Sequence, residues 1–93
     1  MENPQKIARI FKVLSVDTRV RILQILKEKV LCVSALASRL EVSSAAVSQH
    51  LRILRDADLV VSEKRGYYVH YKVNDETLEE WRRIAEDLLT PEE

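Results

Sequence analysis

The chain has 93 residues, the size of one small domain. Hydrophobic residues make up 46% and charged residues 32%, as in ordinary globular proteins. No apolar run approaches the roughly 20 residues that a membrane-spanning helix needs. The first residues lack the apolar core of a secretory signal, so we expect a cytoplasmic protein without a membrane partner.

The formal net charge is zero, but basic and acidic residues are segregated along the chain. Residues 75–93 carry eight acidic and two basic side chains, a net charge of −6. Residues 1–74 carry thirteen basic and seven acidic side chains, a net charge of +6. A basic body can bind a polyanion if its acidic end faces away, so the zero total does not exclude nucleic acid as a partner.

Helical periodicity dominates the first part of the chain. Apolar spacing predicts a first helix over residues 4–14, with Pro4 in a tolerated N-terminal position. Residues 15–17 offer caps for a second helix, and Ser34 is a candidate cap for a short third helix over residues 35–40. These predictions leave residues 41–43 as a tight turn.

A longer helix follows the turn, capped by Ser43 or Ser44 and ending near Asp58. Small side chains near its start would allow close approach to base edges, to which Gln49 and Arg52 can donate. Its core face consists of Val47, Leu51 and Leu54. Its outer face consists of Ala45, Gln49, Arg52 and Asp56, with Ser48 and Arg55 on the flank.

From residue 59 to residue 73 the hydrophobic period changes to two, which predicts a β-hairpin. Gly66, the only glycine of the chain, marks the turn, where a positive φ is expected. Lys64 and Arg65 lie at this tip, beside Tyr67, and could reach a phosphate or the minor groove. An ordinary solvated hairpin with a charged tip is the alternative.

The last helix is predicted to begin after Asn74 or Asp75 and has acidic first turns. An apolar stripe runs along it, and the first helix carries another, so we expect an interface with a second copy as well as a core. The stripe of the last helix comprises Leu78, Trp81, Ile84 or Ala85, and Leu88.

Together these elements predict a mainly α fold with a small β-hairpin (α+β), in the order α-α-α-α-β-β-α. This is a winged helix-turn-helix, formed by a single domain over residues 1–93, and such domains typically lay a helix in the major groove of DNA. No catalytic constellation or phosphate-binding loop is present, so we expect neither an enzyme nor a cofactor. The alternative is a protein-docking winged helix, which could be monomeric and would ignore DNA at moderate salt.

Several segments, taken in order, are similar to those of one known family: residues 17–19 with 22–23, 31–33, 47–51, 54–60 and 64–71. Over roughly residues 6–90 the chain resembles the arsenic-repressor-like ArsR/SmtB family of winged-helix regulators. The resemblance implies a homodimer joined through the first and last helices. It also implies binding to a two-fold operator in double-stranded DNA, and repression that an effector, not identifiable from the sequence, relieves.

Pattern and resemblance together give two sets of candidate residues. His50 stays open between a structural hydrogen bond and a phosphate contact, because its helical angle points to the core edge while the family places a histidine there near the DNA backbone. The DNA-binding set is Ser43, Ser44, Ala45, Ser48, Gln49, His50, Arg52, Lys64, Arg65 and Tyr67. The dimer-interface set is Ile7, Ile10, Phe11, Leu78, Trp81, Ala85 and Leu88.

The chain also departs from the family pattern. Family metal sensors commonly place two cysteines near the Cys32 segment, but here Ser34 occupies the second position, and the last helix contains no histidine. We therefore expect no metal site. Cys32 is then a small buried hydrophobe or, alternatively, a redox or thiol site, including a disulfide between two copies. Glu41 stands where the family usually has glycine, so we expect a strained or differently shaped turn.

Overall fold

The computed structural model describes residues 2–92 and has five helices and three strands within them. The helices are α1 (Pro4–Val13), α2 (Asp17–Leu26), α3 (Val33–Leu40), α4 (Ser44–Asp56) and α5 (Asp75–Leu89). The strands are β1 (Leu31–Cys32), β2 (Val60–Arg65) and β3 (Tyr68–Val73). The predicted α+β class and the winged helix-turn-helix are thus confirmed, with β1 as one additional element.

The three strands form an antiparallel sheet in the order β1-β3-β2. Strands β2 and β3 pair from Val60–Val73 to Arg65–Tyr68, which forms the predicted hairpin. Strand β1 pairs through Cys32 with His70 on the other side of β3. Two residues are too few to show a period of two, so β1 is defined by its partner strand rather than by its own sequence.

The hairpin turn has two residues, and Gly66 is the first of them. Its φ is +63°, the left-handed region that was expected for this position. Glycine reaches that region without the clash that a Cβ causes, and type II′ hairpin turns place glycine at the same position. The turn therefore fixes the direction in which the tip of the hairpin projects.

Side-chain caps begin three of the helices. Asn3 accepts from the Lys6 amide at 2.9 Å at the start of α1, and Ser43 accepts from the Ala46 amide at 3.1 Å at the start of α4. Asn74 caps α5, accepting from the Thr77 amide at 3.5 Å. The structure thus selects Ser43 over Ser44, and Asn74 over Asp75, from the predicted pairs of caps.

Two predicted boundaries were wrong. Ser34 does not cap α3, because that helix begins at Val33 with Cys32 at the N-cap. The N-cap of α2, Val16, lies within the predicted residues 15–17 but forms no side-chain cap hydrogen bond. Helix α4 ends at Asp56 rather than near Asp58, because Asp58 adopts a left-handed φ of +61° and turns the chain toward β2.

The core lies between the helices and one face of the sheet. Its fully buried side chains come from α2, α3, α4, the first residue of β2 and the residue before it, and each contributes about 1.5–3 kcal/mol on burial. Helix α5 packs against α1 at one end of the molecule. These central residues are Ile22, Leu36, Val47, Leu51, Leu54, Leu59 and Val60. Within residues 2–92, no helix is long and apolar enough to cross a membrane.

Candidate nucleic-acid interface

The outer face of α4 is open to solvent. Val47, Leu51 and Leu54 are at most 1% exposed and anchor the helix to the core. Apart from His50, the predicted DNA-binding residues of α4 and its cap are all exposed: Ser43, Ser44, Ala45, Ser48, Gln49 and Arg52. The first turns of this face therefore carry only small side chains, followed by two longer hydrogen-bond donors, an arrangement that lets a backbone approach base edges closely.

The turn between α3 and α4 is tight and strained. Glu41 has φ +57° and ψ +41°, the left-handed conformation that favours glycine. The Val42 amide donates to the Ala37 carbonyl at 3.2 Å and closes the end of α3. A left-handed non-glycine residue costs roughly 1–2 kcal/mol, so the expected strain at Glu41 is present. The turn sets the angle at which α4 leaves α3.

The wing, formed by β2, β3 and the turn at Gly66, projects from the domain. Lys64 and Arg65 are exposed, and Tyr67 at the turn is 99% exposed. Arg65 is already engaged, because its Nε donates to Glu63 Oε1 at 2.6 Å. The Lys72 ammonium lies 3.4 Å from the other oxygen of Glu63. These two cations, chiefly Arg65, lower the pKa of the Glu63 carboxyl. The ionised carboxylate in turn neutralises part of the positive charge of the wing.

The flank of α4 lies next to the base of the wing. A hollow of about 130 Å³ is lined by Ser48, Leu51, Arg52 and Arg55 of α4 together with Tyr71 of β3. Ion pairs within residues 2–92 use Lys6, Arg65, Lys72 and Arg82, so the guanidinium groups of α4 have no carboxylate partner there. The structure thus places the two exposed arginines of α4 beside Tyr71 at the base of the wing.

The acidic side chains of α5 form their own local pairs. Arg82 donates to Glu79 through Nη2 at 2.7 Å and also contacts Glu86. The hydrogen bonds from Arg82 lower the pKa of Glu79, and Glu79 in turn raises the pKa of the Arg82 guanidinium. Because Lys6 of α1 lies 3.8 Å from Glu80, part of this acidic charge is balanced at the α1–α5 end of the molecule.

His50 is half-buried and has a partner within the chain. Its Nδ1 atom lies 3.4 Å from Nη1 of Arg19, a residue of α2. Because a guanidinium can only donate, the imidazole nitrogen accepts. One of the two interpretations of His50, a structural hydrogen bond, is therefore present in the structure, and the phosphate contact stays a prediction.

Cys32 is partly exposed, so the interpretation as a buried hydrophobe was wrong. It lies in β1, at the edge of the sheet, where only one side is covered by a neighbouring strand. Its Sγ is 3.3 Å from the Ser34 hydroxyl, and that hydrogen bond is the main cause that lowers the pKa of the thiol. Residues 2–92 contain no cluster of three or more histidine, cysteine or acidic side chains able to hold a metal ion.

The predicted dimer residues divide into three groups by exposure. Ile7, Ile10 and Trp81 are at most 8% exposed and already serve the core of the chain. Phe11 and Leu88 are 38% and 40% exposed. Leu78 and Ala85 lie between these extremes. Leu89, which was not among the predicted residues, is 68% exposed. Leu89 was missed because it falls off the predicted stripe, although it directly follows Leu88.

A turn of this kind, an exposed α4 with donors and a basic wing together define a winged helix-turn-helix of the DNA-binding class. The family model of the bacterial regulatory proteins of the arsR family matches residues 17–62, which include the whole helix-turn-helix. The chain is 35% identical over 89 residues to a transcriptional repressor SmtB homolog of Synechocystis sp., and the match covers 95% of the chain and 67% of that protein. The chain belongs to the ArsR family.

Further similarities extend over most of the chain. It is 42% identical over 76 residues to a cadmium resistance transcriptional regulatory protein, a CadC homolog of Staphylococcus aureus, with 81% of the chain and 63% of that relative covered. An ArsR-like transcriptional regulator from Rhodococcus sp. RHA1 has a TM-score of 0.80 at 34% identity, covering 90% of this chain and 79% of the other. A homodimeric winged helix-turn-helix domain from Mycobacterium bovis, 21% identical, shares the fold with a TM-score of 0.74 over 94% of this chain and 83% of that one. The chain thus spans less than two thirds of the cadmium regulator.

Proposed function

We propose that this chain is a dimeric, sequence-specific DNA-binding repressor that recognises an inverted-repeat operator. The observation that carries the proposal is the outer face of α4, where Gln49 and Arg52 are exposed beside small side chains. A polar helix face that only contacts solvent does not require small side chains in its first turns followed by longer hydrogen-bond donors. In the proposal, α4 enters the major groove while Lys64 of the wing holds the DNA backbone.

The second copy is proposed to bind through α1 and α5. Phe11, Leu88 and Leu89 leave large apolar side chains exposed on these helices, and a second copy would cover them. The Mycobacterium bovis domain of the same fold is homodimeric, which supports pairing with a second copy. Two α4 helices about 34 Å apart would enter successive major grooves, so the operator should be an inverted repeat with half-sites about one helical turn apart.

Repression is proposed from the relatives, among which the SmtB homolog is a repressor. The cadmium regulator is named for a metal, but here position 34 is serine and residues 2–92 offer no metal cluster. We therefore propose that this regulator has no metal-sensing site of that kind. Cadmium and zinc ions should then leave its affinity for DNA unchanged in a fluorescence anisotropy titration.

The proposal separates base reading from phosphate binding, and variants test this separation. Gln49→Ala or Arg52→Ala should cost on the order of 1–3 kcal/mol, and only on duplexes with the preferred base at one position. Lys64→Ala should weaken binding to every duplex alike and lower the salt slope by about one. Arg83→Ala on α5 is the matched control, since it removes one exposed positive charge from the end assigned to dimerisation.

Anisotropy titrations of these four variants against a panel of single-base operator variants give the result. Equal effects of the Gln49, Arg52 and Lys64 substitutions on all duplexes would contradict base reading by α4. Absence of DNA binding at moderate salt in the unmodified chain, with a monomer in solution, would instead favour a protein-docking winged helix.

A further inference from the structure

Arg19 is a buried charge at the centre of the helix-turn-helix domain. It is 8% exposed and is the only buried polar or charged side chain in the part of the chain that the structure describes. Removing a guanidinium from water is costly unless its N–H groups find acceptors. The contacts of Arg19 therefore show which interactions offset this cost.

Arg19 belongs to α2 but bonds to the two helices on either side of it. Its Nε donates to the Val13 carbonyl at 2.6 Å, and its Nη2 donates to the Lys12 carbonyl at 3.3 Å. Both carbonyls belong to the last turn of α1, where the helix dipole favours a positive charge. Its Nη1 lies 3.4 Å from Nδ1 of His50 in α4. One side chain thus joins the end of α1 to the middle of α4.

An open groove of about 710 Å³ lies between α1 and α4 beside this link. Arg19 and Val13 line it, as do Ile53 in the second half of α4 and Ala57, the C-cap of that helix. Along this groove α1 and α4 are separated, although apolar side chains of both helices belong to the common core elsewhere. The Arg19 side chain therefore restrains α4 relative to α1, the helix proposed to carry the dimer interface.

The link also determines the state of the His50 ring. Since Arg19 donates to Nδ1, the proton of the neutral imidazole resides on Nε2. Within residues 2–92, the only buried side-chain nitrogen or oxygen without a hydrogen-bond partner is His70 Nδ1. His50 Nε2 also has no hydrogen-bond partner in these residues, so its absence from the buried unpartnered atoms means that it is accessible as a donor. His50 is adjacent in the chain to Gln49 of the outer face.

We propose that Arg19 is a positioning residue for DNA recognition, which holds α4 to α1 and presents the Nε2–H of His50 to a DNA phosphate. This inference rests on the proposed function, because it assigns a role in DNA binding to a residue that does not touch DNA. The same link connects the helix that would read the operator to the helix that would hold the second copy.

The state of the ring can be tested in the unmodified protein without DNA. Long-range ¹H–¹⁵N correlation spectra at mildly alkaline pH distinguish the two neutral tautomers of histidine. The proposal requires the Nε2-protonated tautomer for His50, whereas an Nδ1-protonated ring would overturn it. This test needs no variant, and its result can be interpreted even if the chain does not bind DNA.

The role in recognition is tested by a double-mutant cycle. His50→Ala removes both the acceptor that Arg19 uses in α4 and the outer donor, and Arg19→Lys cannot reach three acceptors. Affinities are measured by anisotropy on the duplex that the unmodified protein selects from a random pool. Arg19→Lys should weaken binding about tenfold in the unmodified chain but less than about twofold in the His50→Ala background, where the link to α4 is already absent.

Equal losses from Arg19→Lys in both backgrounds would overturn the proposal, because Arg19 would then act independently of His50. Arg21→Lys is the matched control, since Arg21 lies on the same helix and is exposed. Circular dichroism and sedimentation accompany each variant, and if Arg19→Lys fails to fold, the tautomer of His50 decides. If the unmodified chain binds no duplex, the proposed function fails while the spectra still report on the link.

Discussion

Replacing Glu63 by glutamine should strengthen DNA binding by releasing charge at the wing. Glu63 holds Arg65 at 2.6 Å and Lys72 at 3.4 Å, and all three side chains are partly exposed. Because these cations lower the pKa of Glu63, the carboxylate is ionised above its ordinary pKa of 4.5 and protonates only in more acidic solution. At neutral pH Glu63 is therefore ionised and neutralises part of the charge of Arg65 and Lys72. Glutamine removes this negative charge but keeps the shape of the side chain.

The size of the effect follows from counterion release. Each phosphate contact adds about 0.9 to the slope of log affinity against log salt. If Arg65 gains one phosphate contact in the Glu63→Gln variant, the ratio of the variant's DNA affinity to that of the unmodified chain should rise about threefold to fourfold when the salt is lowered from about 0.2 M to about 0.05 M. The gain should be the same for preferred and unrelated duplexes, because phosphates carry no sequence information.

The assay is fluorescence anisotropy at four salt concentrations, with Glu79→Gln as the matched control. Glu79 is also paired with an arginine and its pKa is also lowered, but it lies on α5, away from the wing. Both variants raise the net charge by one. An unchanged salt slope for Glu63→Gln, or equal gains for the two variants, would refute a role of the wing in holding DNA.

Three further results are expected. Glu41→Gly should raise the free energy of unfolding by about 1 kcal/mol in urea titrations, because glycine relieves the left-handed strain at this position. A destabilised variant would show that the Glu41 side chain stabilises the fold by more than this strain costs. Phe11→Glu should shift the chain toward monomer in sedimentation experiments while its circular dichroism is retained, and an unaffected dimer would move the interface away from the exposed side of α1. Ser34→Ala should raise the pKa of Cys32 and slow its alkylation near neutral pH, since less thiolate is present; an unchanged rate would mean that the hydroxyl does not stabilise the thiolate.

The sequence was sufficient for the elements with strong periodicity. The apolar spacing of α4 placed Val47, Leu51 and Leu54 in the core, and the change to a period of two located the hairpin with its turn at Gly66. These elements could be predicted because their residues contact the core in a regular repeat. The exposed face of α4 then followed by exclusion.

The features that the sequence did not reveal depend on contacts between distant segments. Strand β1 has only two residues and is defined by its pairing with β3, and this edge position also explains why Cys32 is partly exposed. The role of Arg19 arises from acceptors 6 and 31 residues away, which no local pattern indicates. One missed feature is local: Arg65 pairs with Glu63 two residues away on the same strand, and this pairing depends on side-chain conformation, which the hydrophobic pattern does not indicate.

The most direct test of the central claim is to incubate the purified protein with a randomised duplex pool and to sequence the DNA that it retains. The account predicts an inverted repeat with half-sites about one helical turn apart, because two α4 helices enter successive major grooves. Recovery of no motif, with binding lost at moderate salt, would contradict sequence-specific recognition and leave only non-specific attraction to phosphate.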